Sequence, residues 1–248
     1  LSQYLCLPII CIMKLGIMQP YFLPYIGYFS IIKHTDEFIL FDSIQFIRHG
    51  WIERNRILKQ SGGWQYIQVP IIKNNGRETL IKDIRINNTD NWKAKILAQI
   101  QHYKKKAPHY NNVIQLFNQI FAEEYHSITS LNKKSLDVIC SYLGINRRFP
   151  IFSEMNLKID TVSAPDEWAL NICKALGANY YINPIGGLDF FNRTKYQKQN
   201  IEIRFMQSQL TEYNQFGGAF EAGLSIVDVL MFNSIDEVNM MLDKYTLI

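Results

Sequence analysis

A chain of 248 residues, 48% hydrophobic and 19% charged, has the composition of an ordinary globular protein of one large or two small domains, able to bury a core without staples. Its formal charge of +4 and pI near 8.7 fall well short of a nucleic-acid-binding composition, and no stretch approaches the roughly eighteen apolar residues of a membrane span. Cys6, Cys11, Cys140 and Cys173 form no C-x-x-C pair and the histidines lack metal-ligand spacing, which argues against a disulfide framework or metal site and favours a reducing, cytoplasmic setting.

Residues 1–12, LSQYLCLPIICI, are apolar but have no basic start or cleavage site, and they are expected to be an extension outside a fold that begins at Met13. Leu15–Met18 reads as a buried first strand. Gln19–Pro24 cannot continue it, because Pro20 and Pro24 lack amide donors and bias the residues before them to extended backbone. A helix follows, with Tyr25, Tyr28, Phe29 and Ile32 at i, i+3, i+4, i+7. Phe38–Asp42 is a second strand, and Ser43–Asn55 runs polar and basic with a turn at Gly50. Gln65–Ile71 and Leu80–Ile86 alternate as strands, joined as a hairpin by the Asn-Asn-Gly turn of Lys73–Thr79.

Three helices come next: Trp92–Tyr103, capped at Thr89 or Asp90; Val113–Phe121; and Ser127–Leu143, closed by Gly144. Alternation then returns. Ala164-Pro165-Asp166 opens a helix to Leu176, Tyr180–Ile182 is a strand, Asn183–Gly187 a loop and Ile201–Met206 a strand. Helices Ser225–Phe232 and Ile235–Leu242 close the chain. The pattern predicts one α/β domain over 13–248: a Rossmann-like, mostly parallel sheet with a helical insertion at about 91–144.

If the first two strands are parallel neighbours, the loops after them leave one sheet edge and face each other. The first offers Gln19 and the rings of Tyr21, Phe22 and Tyr25; the second offers Asp42, Gln45, Arg48, His49, Trp51, Arg54 and Asn55. Two arginines can grip a phosphate or carboxylate, Asp42 and His49 form a possible acid/base pair, and the rings can stack a base or sugar. Asn183, Gly186 and Gly187 add a loop that allows close backbone approach to an anion. Each has a structural alternative as turn, cap or surface residue. Gln19, pinned between an apolar strand and proline, is the hardest to dismiss that way.

The run GIMQPYFLPYIGYF, followed by Asp42, Gln45, Arg48, Trp51 and Arg54-Asn55, resembles the WbqC family. Tyr103 with Ala107-Pro108, the Tyr180–Gly187 segment and LSIVDVLMFN at Leu224–Asn233 extend the likeness from Met13 to near the C-terminus. That family is associated with bacterial O-antigen and surface-polysaccharide gene clusters. The resemblance implies an enzyme that makes or decorates an unusual sugar, by acyl or aminoacyl transfer onto a nucleotide-linked amino sugar. A non-catalytic nucleotide-sugar binder is the alternative. The strand–Pro–Gly–helix opening is also similar to the H-x-G-H loop of nucleotidyltransferases. Tyr25 and Tyr28 stand at the histidine positions, and tyrosine is not cationic at neutral pH. The residues do not identify a cofactor, the donor or the oligomeric state.

Overall fold

The computed structural model describes residues 12–72, 78–216 and 218–248. The expected extension at 1–12 lies almost wholly outside them, as does most of the Lys73–Thr79 turn. At the centre is a five-stranded sheet in the order β2-β1-β5-β6-β7. Its strands are β1 (Lys14–Met18), β2 (Glu37–Leu40), β5 (Tyr180–Pro184), β6 (Glu202–Ser208) and β7 (Tyr245–Leu247). The first four are parallel and β7 is an antiparallel edge, which gives the expected Rossmann-like α/β architecture.

Alternation sorts the side chains to two buried layers. Leu15, Ile17, Ile39, Phe41, Tyr181, Ile203 and Phe205 face α5 (Glu167–Leu176) and Tyr196 of α6 (Arg193–Gln197). Met18, Phe38, Leu40, Ile182 and Met206 face the larger core. That core holds α1 (Ile26–Lys33), α2 (Trp92–Ile100), α3 (Tyr110–Ile120), α4 (Ile128–Tyr142), α7 (Ile226–Phe232) and α8 (Ile235–Leu242). Gly16 lets the layers close, since a Cβ there would sit 2.7 Å from the Phe38 ring.

The hairpin is displaced from its predicted place. β3 (Arg54–Leu58) pairs with β4 (Trp64–Gln68) across a turn in which Gly62 and Gly63 take φ of 93° and 67°. Leu80–Ile86 is no strand: Ile81–Asp83 forms a 3-10 turn, and only isolated bridges join Leu80, Arg85 and Ile86 to other segments. Ile81 and Ile84 are both buried, and their spacing of three matches the period of that turn as well as β alternation matched the rest. Asn91, rather than Thr89 or Asp90, caps α2 by accepting the Ala94 amide. α2 stops at Ile100 and continues as a 3-10 segment to Lys105. α6 and β7 were not foreseen.

Candidate functional site

The loop after β1 is held from all sides. Phe22 and Leu23 are buried, Leu23 at a left-handed φ of 44°. With its prolines unable to donate, the loop presents carbonyls that distant groups satisfy. Tyr28 donates to the Gln19 carbonyl (2.9 Å) and Asn132 to that of Pro20 (2.7 Å). Asn55 donates to both Phe22 (3.1 Å) and Leu23 (2.9 Å), Ser225 to Leu23 (2.7 Å), and the Ile226 amide to Pro24 (2.8 Å). Phe22 is therefore a core residue and offers no ring edge to a ligand. Tyr21 and Tyr25 stay half-buried, and Gly27 is glycine because a Cβ there would meet the Tyr25 ring at 2.5 Å.

Gln19 differs from the rest of its loop. Its side-chain amide makes no hydrogen bond among the described residues, and it sits where the sheet parts. The β1–β2 ladder runs to Met18–Leu40 and the β5–β6 ladder to Pro184–Met206, but the β1–β5 ladder between them stops at Gly16–Ile182. The sheet thus parts at its carboxyl edge between β1 and β5. This is also the topological switch point, because the chain leaves β1 toward β2 on one side while β5 lies on the other.

Asn183 stands near the end of β5, across this parting from Gln19. Its Oδ1 accepts from the Tyr181 hydroxyl (2.8 Å) and its Nδ2 donates to the Pro184 carbonyl (2.9 Å). Gly187 turns directly beneath it, where a Cβ would fall 2.1 Å from Nδ2, whereas Gly186 is exposed with open space beside it.

At the end of β2, Asp42 is buried and both its oxygens are engaged. Oδ1 accepts the Ser153 amide (3.0 Å) and Oδ2 the Ser153 hydroxyl (2.7 Å). Phe41, Phe152 and Trp168 cluster beside it with ring centroids 5.1–6.1 Å apart. At the start of α5, Lys195 bridges Asp166 and Glu167 at 2.9 Å each; its hydrogen bond holds the Glu167 carboxyl below the usual range.

His49 is elsewhere: exposed, at a left-handed φ of 64°, and joined to Asp42 by no hydrogen bond or ion pair among the described residues. The expected acid/base pair is not assembled. His49, Trp51 and Arg54 belong instead to the hairpin side, while Gln45 bridges to Leu80 and both Gln45 and Arg48 are exposed. Arg54 donates to the His49 carbonyl (2.5 Å) and lies 4.0 Å over the Tyr66 ring. The two predicted walls touch directly through the Phe22 amide on the Trp51 carbonyl (2.8 Å) and through Asn55. They meet there as one packed seam.

A second polar centre escaped the sequence. Asp228, fully buried in α7, accepts from Tyr103 (2.5 Å), Tyr213 (2.6 Å) and Gln215 (2.9 Å). Burial raises its carboxyl above the ordinary aspartate range, opposed by those three donors. A cavity of about 400 Å³ lined by Lys106, Pro108, Asn214, Phe216 and Phe232 lies against the same ring cluster. Neither described cysteine is a nucleophile, since burial pushes the Cys173 thiol up to about 12 and raises Cys140 as well.

A model of the WbqC-like protein family matches residues 19–240. The chain belongs to the WbqC-like protein family. It is 32% identical over 222 residues to a Mycobacterium tuberculosis (strain ATCC 25618 / H37Rv) protein named "Uncharacterized protein Rv1507c", an overlap covering 89% of this chain and 93% of that one. No solved structure matches. Apart from Tyr180–Gly187, segments that carried the family resemblance meet in direct contacts. Asn55 and Ser225 pin the Gln19–Pro24 loop, Tyr103 meets Asp228 of the LSIVDVLMFN helix, and the His109 amide after Ala107-Pro108 donates to Met231 (3.1 Å). Among the described residues, no helix is long and apolar enough to cross a membrane.

Ser153, Trp168 and Asp228 were the functional candidates that sequence reasoning missed. Asp228 alone left a signal: a lone carboxylate between Val227 and Val229 in an apolar helix requires buried donors.

Proposed function

We propose that this chain binds a nucleotide-linked sugar in the cleft between the carboxyl ends of β1 and β5, and modifies it during bacterial surface-polysaccharide biosynthesis by acyl or aminoacyl transfer to an amino group. The observation that carries the reading is the early end of the β1–β5 ladder beside the unbonded Gln19 amide. A switch-point cleft with convergent polar groups is where open α/β sheets take ligands. Gln19 and Asn183 read sugar or base edges, the Gly186-Gly187 backbone approaches the diphosphate, and the Phe41–Phe152–Trp168 cluster supplies an apolar wall. In the transfer, the amine nitrogen attacks the donor's carbonyl carbon, the new C–N bond replaces the bond to the leaving group, and one amine proton must depart. The Ser153 hydroxyl, already donating to Asp42, provides a route for that proton to the carboxylate. His49 has no part in this route.

The test is thermal unfolding with a panel of UDP- and dTDP-linked amino sugars. A ligand at a hundred times its dissociation constant stabilises by about 2.7 kcal/mol, and Gln19→Ala is expected to abolish the shift. A panel that never shifts the wild type, or shifts the variant equally, refutes the site.

A second reading, a non-catalytic nucleotide-sugar binder, draws support from the occupancy of both Asp42 oxygens by Ser153. Asp42→Asn separates the two: the transferase loses turnover and keeps affinity, whereas the binder has no turnover to lose. The nucleotidyltransferase-like reading has no support, because Tyr28 is fully buried with its hydroxyl committed to the Gln19 carbonyl.

A further inference from the structure

The β3–β4 hairpin carries a surface that the switch-point cleft does not use. Alternation buries Asn55, Ile57 and Ile67 against the core and turns Arg54, Arg56, Trp64 and Tyr66 to the other face. There the Arg56 guanidinium lies between two indoles, 5.4 Å from the Trp51 ring and 5.2 Å from that of Trp64. Trp64 meets Tyr66 edge-on at 5.0 Å, and Arg54 covers the far side of Tyr66. The result is a continuous row of three rings and two guanidinium groups.

Four observations separate this row from a merely structural ladder. Its two indoles remain 36% and 37% exposed. No carboxylate forms an ion pair with Arg54 or Arg56 among the described residues. Segment 43–68 holds four cationic side chains, Arg48, Arg54, Arg56 and Lys59, against a single acid, Glu53, which is buried. Finally, the Arg56 guanidinium makes one hydrogen bond among the described residues, from Nη2 to the Gly223 carbonyl (3.2 Å), while its Nε is buried without a partner. A guanidinium fixed by flanking rings and short of acceptors is prepared for a planar anion.

We propose that this hairpin face is a binding site for an acidic oligosaccharide, in which the apolar C–H faces of successive sugar rings stack on Trp51 and Trp64 and a carboxylate pairs with Arg56. Indoles give a sugar ring a flat apolar platform, and the uncompensated arginines select for acid groups over neutral glycans. The site stands on elements separate from Gln19 and Asn183 and is independent of the cleft assignment.

Isothermal titration of the full chain tests it with four probes: tetragalacturonate, neutral maltotetraose, inorganic phosphate and octathymidylate. Tetragalacturonate is expected to bind at least tenfold more tightly than the others. Trp64→Ala and Arg56→Lys should each weaken it at least tenfold, Trp64→Phe should retain most of the affinity, and Gln19→Ala should leave it unchanged. Absence of tetragalacturonate binding overturns the proposal, as does binding that ignores Trp64→Ala. Equal or tighter binding of phosphate would reduce the face to a general anion site, and of octathymidylate to a nucleic-acid surface; either also overturns it.

Discussion

The Gln19–Pro24 loop and the β3–β4 hairpin are both rich in rings, yet they have opposite fates. In the loop, prolines remove amide donors, so its backbone is stable only where other segments supply them, and supplying them surrounds the loop. In the hairpin, each strand satisfies the other's backbone, so the side chains on its outer face are free to stay at the surface. Aromatic residues alone therefore do not mark a ligand site. Where the backbone finds its partners decides whether a ring becomes core or platform.

The largest way to break that comparison is Asn55→Ala. It removes the donor to the Phe22 and Leu23 carbonyls and the acceptor for the Arg56 amide. Buried groups left unpaired at this seam are expected to cost about 2–4 kcal/mol in urea unfolding. A loss below about 1 kcal/mol would mean that the loop does not depend on imported donors.

Much of the frame was legible because it rests on local grammar. β1, α1, α5 and α8 follow from apolar spacing, and Gly144 and Gly177 take the left-handed φ of 72° and 70° expected beyond helix ends. The hairpin was misplaced because Arg54–Leu58 opens Arg-Asn-Arg with no apolar alternation, while its aromatic partner strand lies past a five-residue turn, so the Asn-Asn-Gly signal further on looked stronger. The site was only half legible. Gln19, Asn183 and Gly187 stand at strand ends, which sequence can locate, but the pairing of Asp42 with Ser153 spans 111 positions and leaves no trace in either segment. Nothing in the spacing of Asp42 and His49 could reveal that Asp42 is taken up by Ser153 instead.

Asp228 offers a next, smaller test, since Tyr103 joins it to the hairpin by accepting the Leu58 amide (2.9 Å). Burial raises its folded carboxyl above the unfolded value, so the folded state takes up the proton more readily. The contribution is most favourable below the unfolded aspartate range and is lost as pH rises through the raised folded value. Wild type should therefore lose stability relative to Asp228→Asn as pH increases across that window, and then run parallel to it. Denaturant melts at successive pH values check this; an opposite slope would show that the Tyr103, Tyr213 and Gln215 donors outweigh burial.

On the hairpin, Trp64→Ala removes a half-exposed ring from Arg56 and Tyr66. Exposed cation–π contacts contribute about 0.5–1 kcal/mol, and the stability loss should not exceed that. A loss approaching that of Asn55→Ala would make the row a structural element and erase its contrast with the loop.

Gln19→Ala sharpens the comparison from inside the loop itself, and its expected effect on stability is the smallest. The Tyr28 bond falls on the Gln19 backbone carbonyl and survives truncation of the side chain. With no side-chain hydrogen bond to lose, the variant should unfold within about 0.5 kcal/mol of wild type, as substitutions away from packed or bonded features do. Its neighbours cannot be so neutral: Pro20, Phe22, Leu23 and Pro24 are buried and their carbonyls are held. A glutamine that adds nothing to folding, at the point where β1 and β5 separate, would support the ligand contact proposed for its side chain. If Gln19→Ala instead destabilises by 2 kcal/mol or more in urea unfolding (about the cost of a buried, unpaired polar group), the whole loop is scaffold and the cleft loses its principal residue.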